Sequence, residues 1–447
     1  MRIFSVIILL VAFFFPPGHA PASPPIEISK EELQKLQVQA AQGNVKMQTA
    51  LGELYDIGDY VPQNYATARG WYEKAAAQGD KEAQYNLGQL YAYGRGVQQD
   101  YTTARQWWEK AAVQGTAQAQ YNLGLMYAEG RSVPQDYTVA REWYQKAAAQ
   151  GLAEAQSNLG LMYQNGRGVP QDYTQARLWF EKSAAQGFAT AQVNLGGLYA
   201  IGLGVPQDYT VARAWYEKAA AQGLAEAEFN LGALYYTGQG IPQDSGNARQ
   251  WWEKAAVHGN GNAQYNLGVL YAKGRGVPQD YAQARLWYEK SAAQGYATAQ
   301  LNLGELYATG QGVPQDYAKA RQWLEQAVAQ GNAAAQNNLG YLYADGKGVP
   351  KDEKKGVEWI RKAAEQGDAN GQDSLGEMYR DGRGVPQDNV RAYMWFNLSV
   401  EQYLRQSRKN METAQHRDAI AKQLTPAQIA EAQRLAQQCQ AQQFKGC

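Results

Sequence analysis

Leucine–glycine pairs recur along this chain every 36 residues. The glycines are Gly52, Gly88, Gly124, Gly160, Gly196, Gly232, Gly268, Gly304, Gly340 and Gly376, nine equal steps without an insertion. Self-similarity at this period marks a stack of one small supersecondary unit, in which each copy buries its apolar face only against its neighbours. Such arrays are built to present surface, and few catalyse. The spacing therefore speaks to architecture more directly than to ligand.

One copy, Glu82 to Gly115, gives the unit. Leu87, Leu90 and Tyr91 stand at helical spacing. Gly94 stops that helix, because glycine enters the left-handed C′ conformation without a Cβ clash. A loop follows, and Asp100 is placed as the N-cap of a second helix. That helix carries Ala104, Trp107, Ala111 and Ala112 at helical spacing and ends at Gly115. The unit is helix, loop, helix.

Two aromatic columns run through the copies. Ten of the 12 tryptophans, from Trp71 to Trp395, occupy one position of the unit. A large ring beside small alanines predicts that the tryptophans form the packed core. Tyr55, Tyr91, Tyr127, Tyr163 and their equivalents to Tyr379 read as a second core column. Glycine inside a helix costs about 1 kcal/mol against alanine, so the Leu-Gly glycine predicts a close approach by another helix.

Leu159-Gly160, Tyr163, Gly166, Gly168-Val169-Pro170, Asp172, Ala176, Trp179, Lys182, Ala184 and Gly187 together resemble a Sel-like repeat, a relative of the tetratricopeptide repeat. The resemblance spans about Glu32 to Val400. It implies an all-α fold, an α/α superhelical solenoid of about ten helix-loop-helix repeats, and a scaffold role in protein assemblies. Copy six departs from the pattern with Ser245-Gly246-Asn247, which predicts a looser start to its second helix.

The ends read differently. Arg2, the predominantly apolar run Ile3 to Phe15 and the small residues of Gly18-His19-Ala20 have the order of a cleaved signal peptide. The run is too short to cross the roughly 30 Å of a bilayer core. The expected division is a signal peptide at 1–20, a disordered spacer at 21–29, the solenoid at 30–402 and a C-terminal helical cap at 403–447. Lys30 to Gln42 reads as a half-repeat covering the first copy. Thr425-Pro426-Ala427-Gln428 reads as an N-cap, proline at N1 and a capping-box glutamine opening a last helix. The signal peptide predicts a periplasmic or secreted protein, and in such an oxidising compartment the chain's two cysteines, Cys439 and Cys447, are expected to form a disulfide.

Chemistry is sparse. Only His19, His258 and His416 are present, no nucleophile elbow occurs, and the Gly-x-Gly loops follow helices rather than strands. No cofactor or metal site is expected. Charge is balanced, 42 basic residues against 42 acidic, without the basic stripe that nucleic acid requires. What does vary between copies is one face of the first helix. It carries Tyr85, Tyr121, Leu125, Leu161, Phe229, Tyr265 and Tyr341, with acidic residues toward the C-terminal copies. If the copies stack as tetratricopeptide repeats do, this face lines a concave groove suited to a peptide or partner helix. The asparagines Asn86 through Asn338 border it. The expected function is an exported, non-catalytic protein-interaction scaffold with a protein or peptide partner. The alternative is a cell-wall protein that binds peptidoglycan fragments or hydrolyses β-lactams.

Overall fold

The computed structural model describes residues 30–58, 60–406 and 411–447. The expected signal peptide and spacer lie outside them. Among the described residues there are 23 helices and no strand. Helix α1 (Lys30–Ala41) precedes ten pairs: α2–α3 (Val45–Ile57, Tyr65–Ala77), α4–α5 (Lys81–Tyr93, Tyr101–Val113), α6–α7 (Ala117–Glu129, Tyr137–Ala149), α8–α9 (Ala153–Asn165, Tyr173–Ala185), α10–α11 (Ala189–Ile201, Tyr209–Ala220), α12–α13 (Ala225–Thr237, Ser245–Val257), α14–α15 (Gly261–Lys273, Tyr281–Ala293), α16–α17 (Ala297–Thr309, Tyr317–Ala329), α18–α19 (Ala333–Asp345, Glu353–Glu365) and α20–α21 (Ala369–Asp381, Asn389–Arg405). Two further helices, α22 (Met411–Ala421) and α23 (Pro426–Ala441), close the chain.

Local chemistry sets each boundary. Gly94 adopts φ 69° and its N–H bonds the Leu90 carbonyl, closing α4. Asp100 sits in extended conformation and accepts from the Thr102 and Thr103 amides, opening α5. Between them the Asp100 amide returns to the Tyr91 carbonyl at 2.9 Å. The second loop glycine, Gly96, also has positive φ, and a Cβ there would stand 2.7 Å from the Cβ of Tyr65, at the first turn of the preceding second helix. Copy six keeps the same start despite its sequence: Asp244 accepts from the Gly246 and Asn247 amides, and the Asn247 side chain donates to Asp244 at 2.7 Å. The expected loosening does not occur, because the two backbone amides still meet the cap and the Asn247 side chain adds a third donor.

The chain divides into two compact units between Ala227 and Glu228. In each, the core is a series of small clusters joining the second helix of one copy to the first helix of the next. One such cluster in the first unit holds Ala104, Trp108, Ala111 and Ala112 of α5 with Ala119, Leu123 and Met126 of α6. In the second unit Ala320, Leu324 and Ala327 of α17 meet Ala335, Leu339 and Leu342 of α18 in the same way.

The core ring is not the one expected. Nine of the ten column tryptophans, Trp71 to Trp359, are half-buried, and only Trp395 is enclosed. The buried column is the next residue: Tyr72, Trp108, Tyr144, Phe180, Tyr216, Trp252, Tyr288, Leu324, Ile360 and Phe396. Each lies on the Leu-Gly glycine of its own copy. A Cβ on Gly160 would stand 2.5 Å from Phe180, and one on Gly340 would stand 2.5 Å from Ile360. The glycine therefore admits a side chain and also lets the second helix come close, as at Gly340, where the Gly356 carbonyl would stand 2.8 Å from the added Cβ. The displaced tryptophans take a different partner: Lys74 lies 4.0 Å over Trp71, Lys182 4.3 Å over Trp179 and Lys362 3.9 Å over Trp359. The i, i+3 spacing delivers the lysine to the ring on the same helical face.

At the N-terminal end, α1 buries Ala40 and its carbonyl accepts from Gln48 Nε2 at 3.0 Å. At the other end, α22 and α23 pack on α21, and Ile420, Ala432, Ala436 and Cys439 join Trp395 and Phe396 in one cluster. The Thr425 capping box forms with both of its hydrogen bonds. Cys439 and Cys447 are joined as a disulfide, with Cα atoms 5.6 Å apart.

Candidate functional site

The variable face of the first helices is half-buried rather than free. In the first unit the Tyr85 hydroxyl accepts from Gln89 Nε2 at 2.5 Å and also meets Asn122 of the next copy. Burial pushes that hydroxyl up to about 12. Tyr121 leans on Tyr144, ring centres 5.7 Å apart, and is hydrogen-bonded by Asn158. Leu161 packs on the cluster around Phe180 and Leu195. Leu125, expected on this face, is only 2 % exposed and belongs to the core around Tyr144 and Leu159, so it offers no surface to a partner.

In the second unit Phe229 stacks on Trp252 at 6.5 Å, and the indole N–H donates to the Phe229 carbonyl at 3.1 Å. Tyr265 leans on Tyr288 at 5.9 Å and is hydrogen-bonded by Asn302. The Tyr341 hydroxyl donates to Glu377 at 2.8 Å. These aromatic residues thus show one edge outward while their bodies fill the seam to the next copy.

The bordering asparagines join copies. Asn338 Nδ2 donates to Glu305 at 3.0 Å, Asn158 reaches Tyr121 and Tyr144, and Asn86 reaches Glu53 and Tyr72. A residue already bonded across the seam has less to give a peptide backbone. The acidic C-terminal part of the face is likewise approached by basic groups of the chain itself. His416 of α22 stands 3.5 Å from Asp373 and 4.0 Å from Glu377. Asp345 receives Arg383 at 2.7 Å and Lys347 at 2.9 Å, which hold its carboxyl below the usual range against the opposing effect of burial.

A further constellation escapes a reading by helical period alone. In the first unit Gln78, Gln114, Gln150, Gln186 and Gln222, each one or two residues past the end of a second helix, donate to Gln48, Gln84, Gln120, Gln156 and Gln192 at 2.8–3.0 Å. In the second unit Gln294, Gln330 and Gln366 do the same to Gln264, Gln300 and Gln336 at 2.7–2.9 Å. The accepting glutamine is buried and spends its own amide on a backbone carbonyl eight residues earlier, as Gln264 does with Ala256 at 3.2 Å. Two polar columns at the 36-residue interval were visible in the sequence, and their joint departure at Glu228 and His258 was the sign that they are partners.

Among the described residues no cluster of three or more His, Cys, Asp or Glu side chains could hold a metal ion, and no helix is long and apolar enough to cross a membrane. The arrangement is that of a helical repeat scaffold.

A family model for the Sel1 repeat matches ten consecutive segments, 45–80, 81–115, 117–152, 153–188, 189–224, 225–260, 261–296, 297–332, 333–368 and 369–403. The chain belongs to the Sel1 repeat family. Sel1 repeats mediate protein interactions, and the fold is generally a non-catalytic scaffold. The chain is similar to c5321, a protective antigen of uropathogenic Escherichia coli with an SLR fold, at 39% identity over 93% of this chain and 88% of that one, TM-score 0.76. It is also similar to a Sel1 repeat protein from Oxalobacter formigenes, at 38% identity over 70% of this chain and 92% of that one, TM-score 0.58. No curated protein matches the chain significantly.

Proposed function

We propose that this chain is an exported, non-catalytic scaffold that holds a peptide or protein partner on the first-helix face, through the outward edges of Tyr85, Tyr121, Leu161, Phe229, Tyr265 and Tyr341. One observation carries the reading. This face changes from copy to copy while the columns beneath it, the glycine, the leucine and the glutamine, scarcely change. Aromatic side chains with an apolar body held rigid and a polar tip near solvent are the residues that dominate protein interfaces. Export is supported by the leader-like residues 1–20, by the Cys439–Cys447 bridge and by the likeness to a protective antigen.

The test is crosslinking of the mature chain in its envelope, followed by mass spectrometry of captured partners. A Tyr121→Ala/Phe229→Ala chain should lose those partners, whereas Gln145→Ala, on the exposed side of a second helix, should retain them. Because both rings also pack on core residues, a thermal melt of each variant must accompany the capture. Wild-type recovery by a folded double variant overturns the assignment of the face.

A further inference from the structure

Every glutamine rung is electrically neutral and insensitive to pH. The corresponding pair in the sixth copy is not. Glu228 Oε2 lies 2.8 Å from His258 Nδ1, with the Glu228 side chain 4% exposed and the His258 side chain 45% exposed. The positions match the rung residue for residue: Glu228 stands where the other copies bury a glutamine on the first helix, and His258 is the C-cap of the second. A carboxylate has no N–H to offer the backbone carbonyl that the buried glutamine serves elsewhere. Its burial is compensated mainly by what the imidazole supplies.

We infer that the Glu228–His258 pair is a pH-sensitive joint, which holds the α12–α13 pair together more tightly when the imidazole is protonated than when it is neutral. With the proton present the contact is a charge-assisted hydrogen bond between opposite charges, stronger than a neutral one. Without it, the ring offers at most a neutral N–H to a buried anion, and that anion loses its countercharge. Imidazole is the side chain whose charge ordinarily changes between about pH 5 and 8. The neighbouring charges are otherwise engaged. On α13, Lys254 lies 4.2 Å over Trp251 and Glu253 is held by Arg249 at 2.8 Å. On α14 no charged side chain occurs before Lys273 at its far end. On α12, Glu226 supplies a second carboxylate, exposed, in the first turn. It adds no positive charge that could replace the imidazolium.

Other copies show that the position does not require an ionisable pair. The same geometry is built from two amides at Gln294–Gln264 and Gln330–Gln300 in the same unit, and these serve as internal references.

The experiment is amide hydrogen exchange on the full mature chain at pH 6 and pH 8, corrected for intrinsic rates and resolved by peptide. In the wild-type chain, protection at the start of α12 and at the α13–α14 turn should fall roughly two- to fivefold more from pH 6 to pH 8 than at the two glutamine rungs, the range of a partly exposed ion pair. Glu228→Gln/His258→Gln restores the rung of the other copies, and its α12–α13 joint should then follow the reference rungs at both pH values. A wild-type joint that tracks the glutamine rungs overturns the inference. So does a pH-dependent difference that survives in the double variant.

Discussion

The Phe180 ring rests on Gly160, so close that a Cβ at the glycine would come within 2.5 Å of the ring. Phe180 is fully enclosed and has no room to swing aside. Gly160→Ala should therefore destabilise the chain: overpacking costs about 1–3 kcal/mol, against about 1 kcal/mol gained in helix propensity. Urea unfolding followed by far-UV circular dichroism should show a lower midpoint. Pairing the change with Phe180→Ala should be less than additive, because the smaller side chain leaves space for the new methyl.

The two adjacent rings of one copy should behave unlike each other. Phe180→Ala empties a core site and should cost about 3–5 kcal/mol. Trp179 is half-buried with Lys182 on its face, so Trp179→Ala should cost about 1–2 kcal/mol, from partial area loss and the lost cation–π contact. Equal losses in the same urea melts would show that the tryptophan column is core after all.

The glutamine rung should be worth more than one hydrogen bond. Gln300→Ala removes the partner of Gln330 and one of the donors to the Ala292 carbonyl, which keeps the Gly295 amide at 2.9 Å. Losing the two side-chain hydrogen bonds should cost about 1–3 kcal/mol. Because coupling in such arrays is between neighbours, the loss should appear as an early local transition rather than a uniform shift.

Asp56 gives a pH test with a definite sign. Burial raises its carboxyl above the usual range, more than Arg95 and the Tyr72 hydroxyl, 3.3 Å away, lower it. An acid whose folded value is raised opposes folding at pH above that value, and the opposition disappears once the pH falls below the unfolded value of about 4. Asp56→Asn, which still accepts from Tyr72, should melt above wild type at pH 7, and the gap should close toward pH 4. A gap that widens on acidification would reverse the assignment.

The terminal bridge should act locally. Cys439→Ser/Cys447→Ser should expose the tail after α23 to protease and leave limited digestion of the repeats unchanged. Cleavage spreading into α16 to α19 would show that the cap governs the stack.

The helices and their turns were legible because glycine, aspartate and the helical period act locally, as at Gly94 and Asp100. The core ring was misread for a physical reason. Trp179 and seven of its equivalents lie beneath a lysine, a contact that an indole face serves best, while Trp323 and Trp395 keep the ring with Gln326 and Leu398 in the lysine's place. The buried position accepts Tyr144, Phe180, Trp252 or Leu324, since any large apolar group fills the hollow over a glycine. Sameness across copies tracked the specificity of a contact and not its depth. The outward face was legible as variable, but not as half-closed: that Leu125 turns inward and that Asn158 bonds Tyr121 depend on the next copy, which a single-helix period does not contain.

The buried glutamine of each rung presents the same side-chain amide to a carbonyl of the copy before it at nearly every joint. Whole copies can therefore be removed or inserted between two rungs of one unit and the cut ends still mate, as identical couplings do in a train. Reach along the stack is thus set by how many carriages are coupled, and it can change by genetic slippage without any new interface having to be invented. The sixth copy, with Glu228 and His258, is the one carriage whose coupling would not be interchangeable half by half: a crossover that parted the two residues would bury an acid opposite an amide.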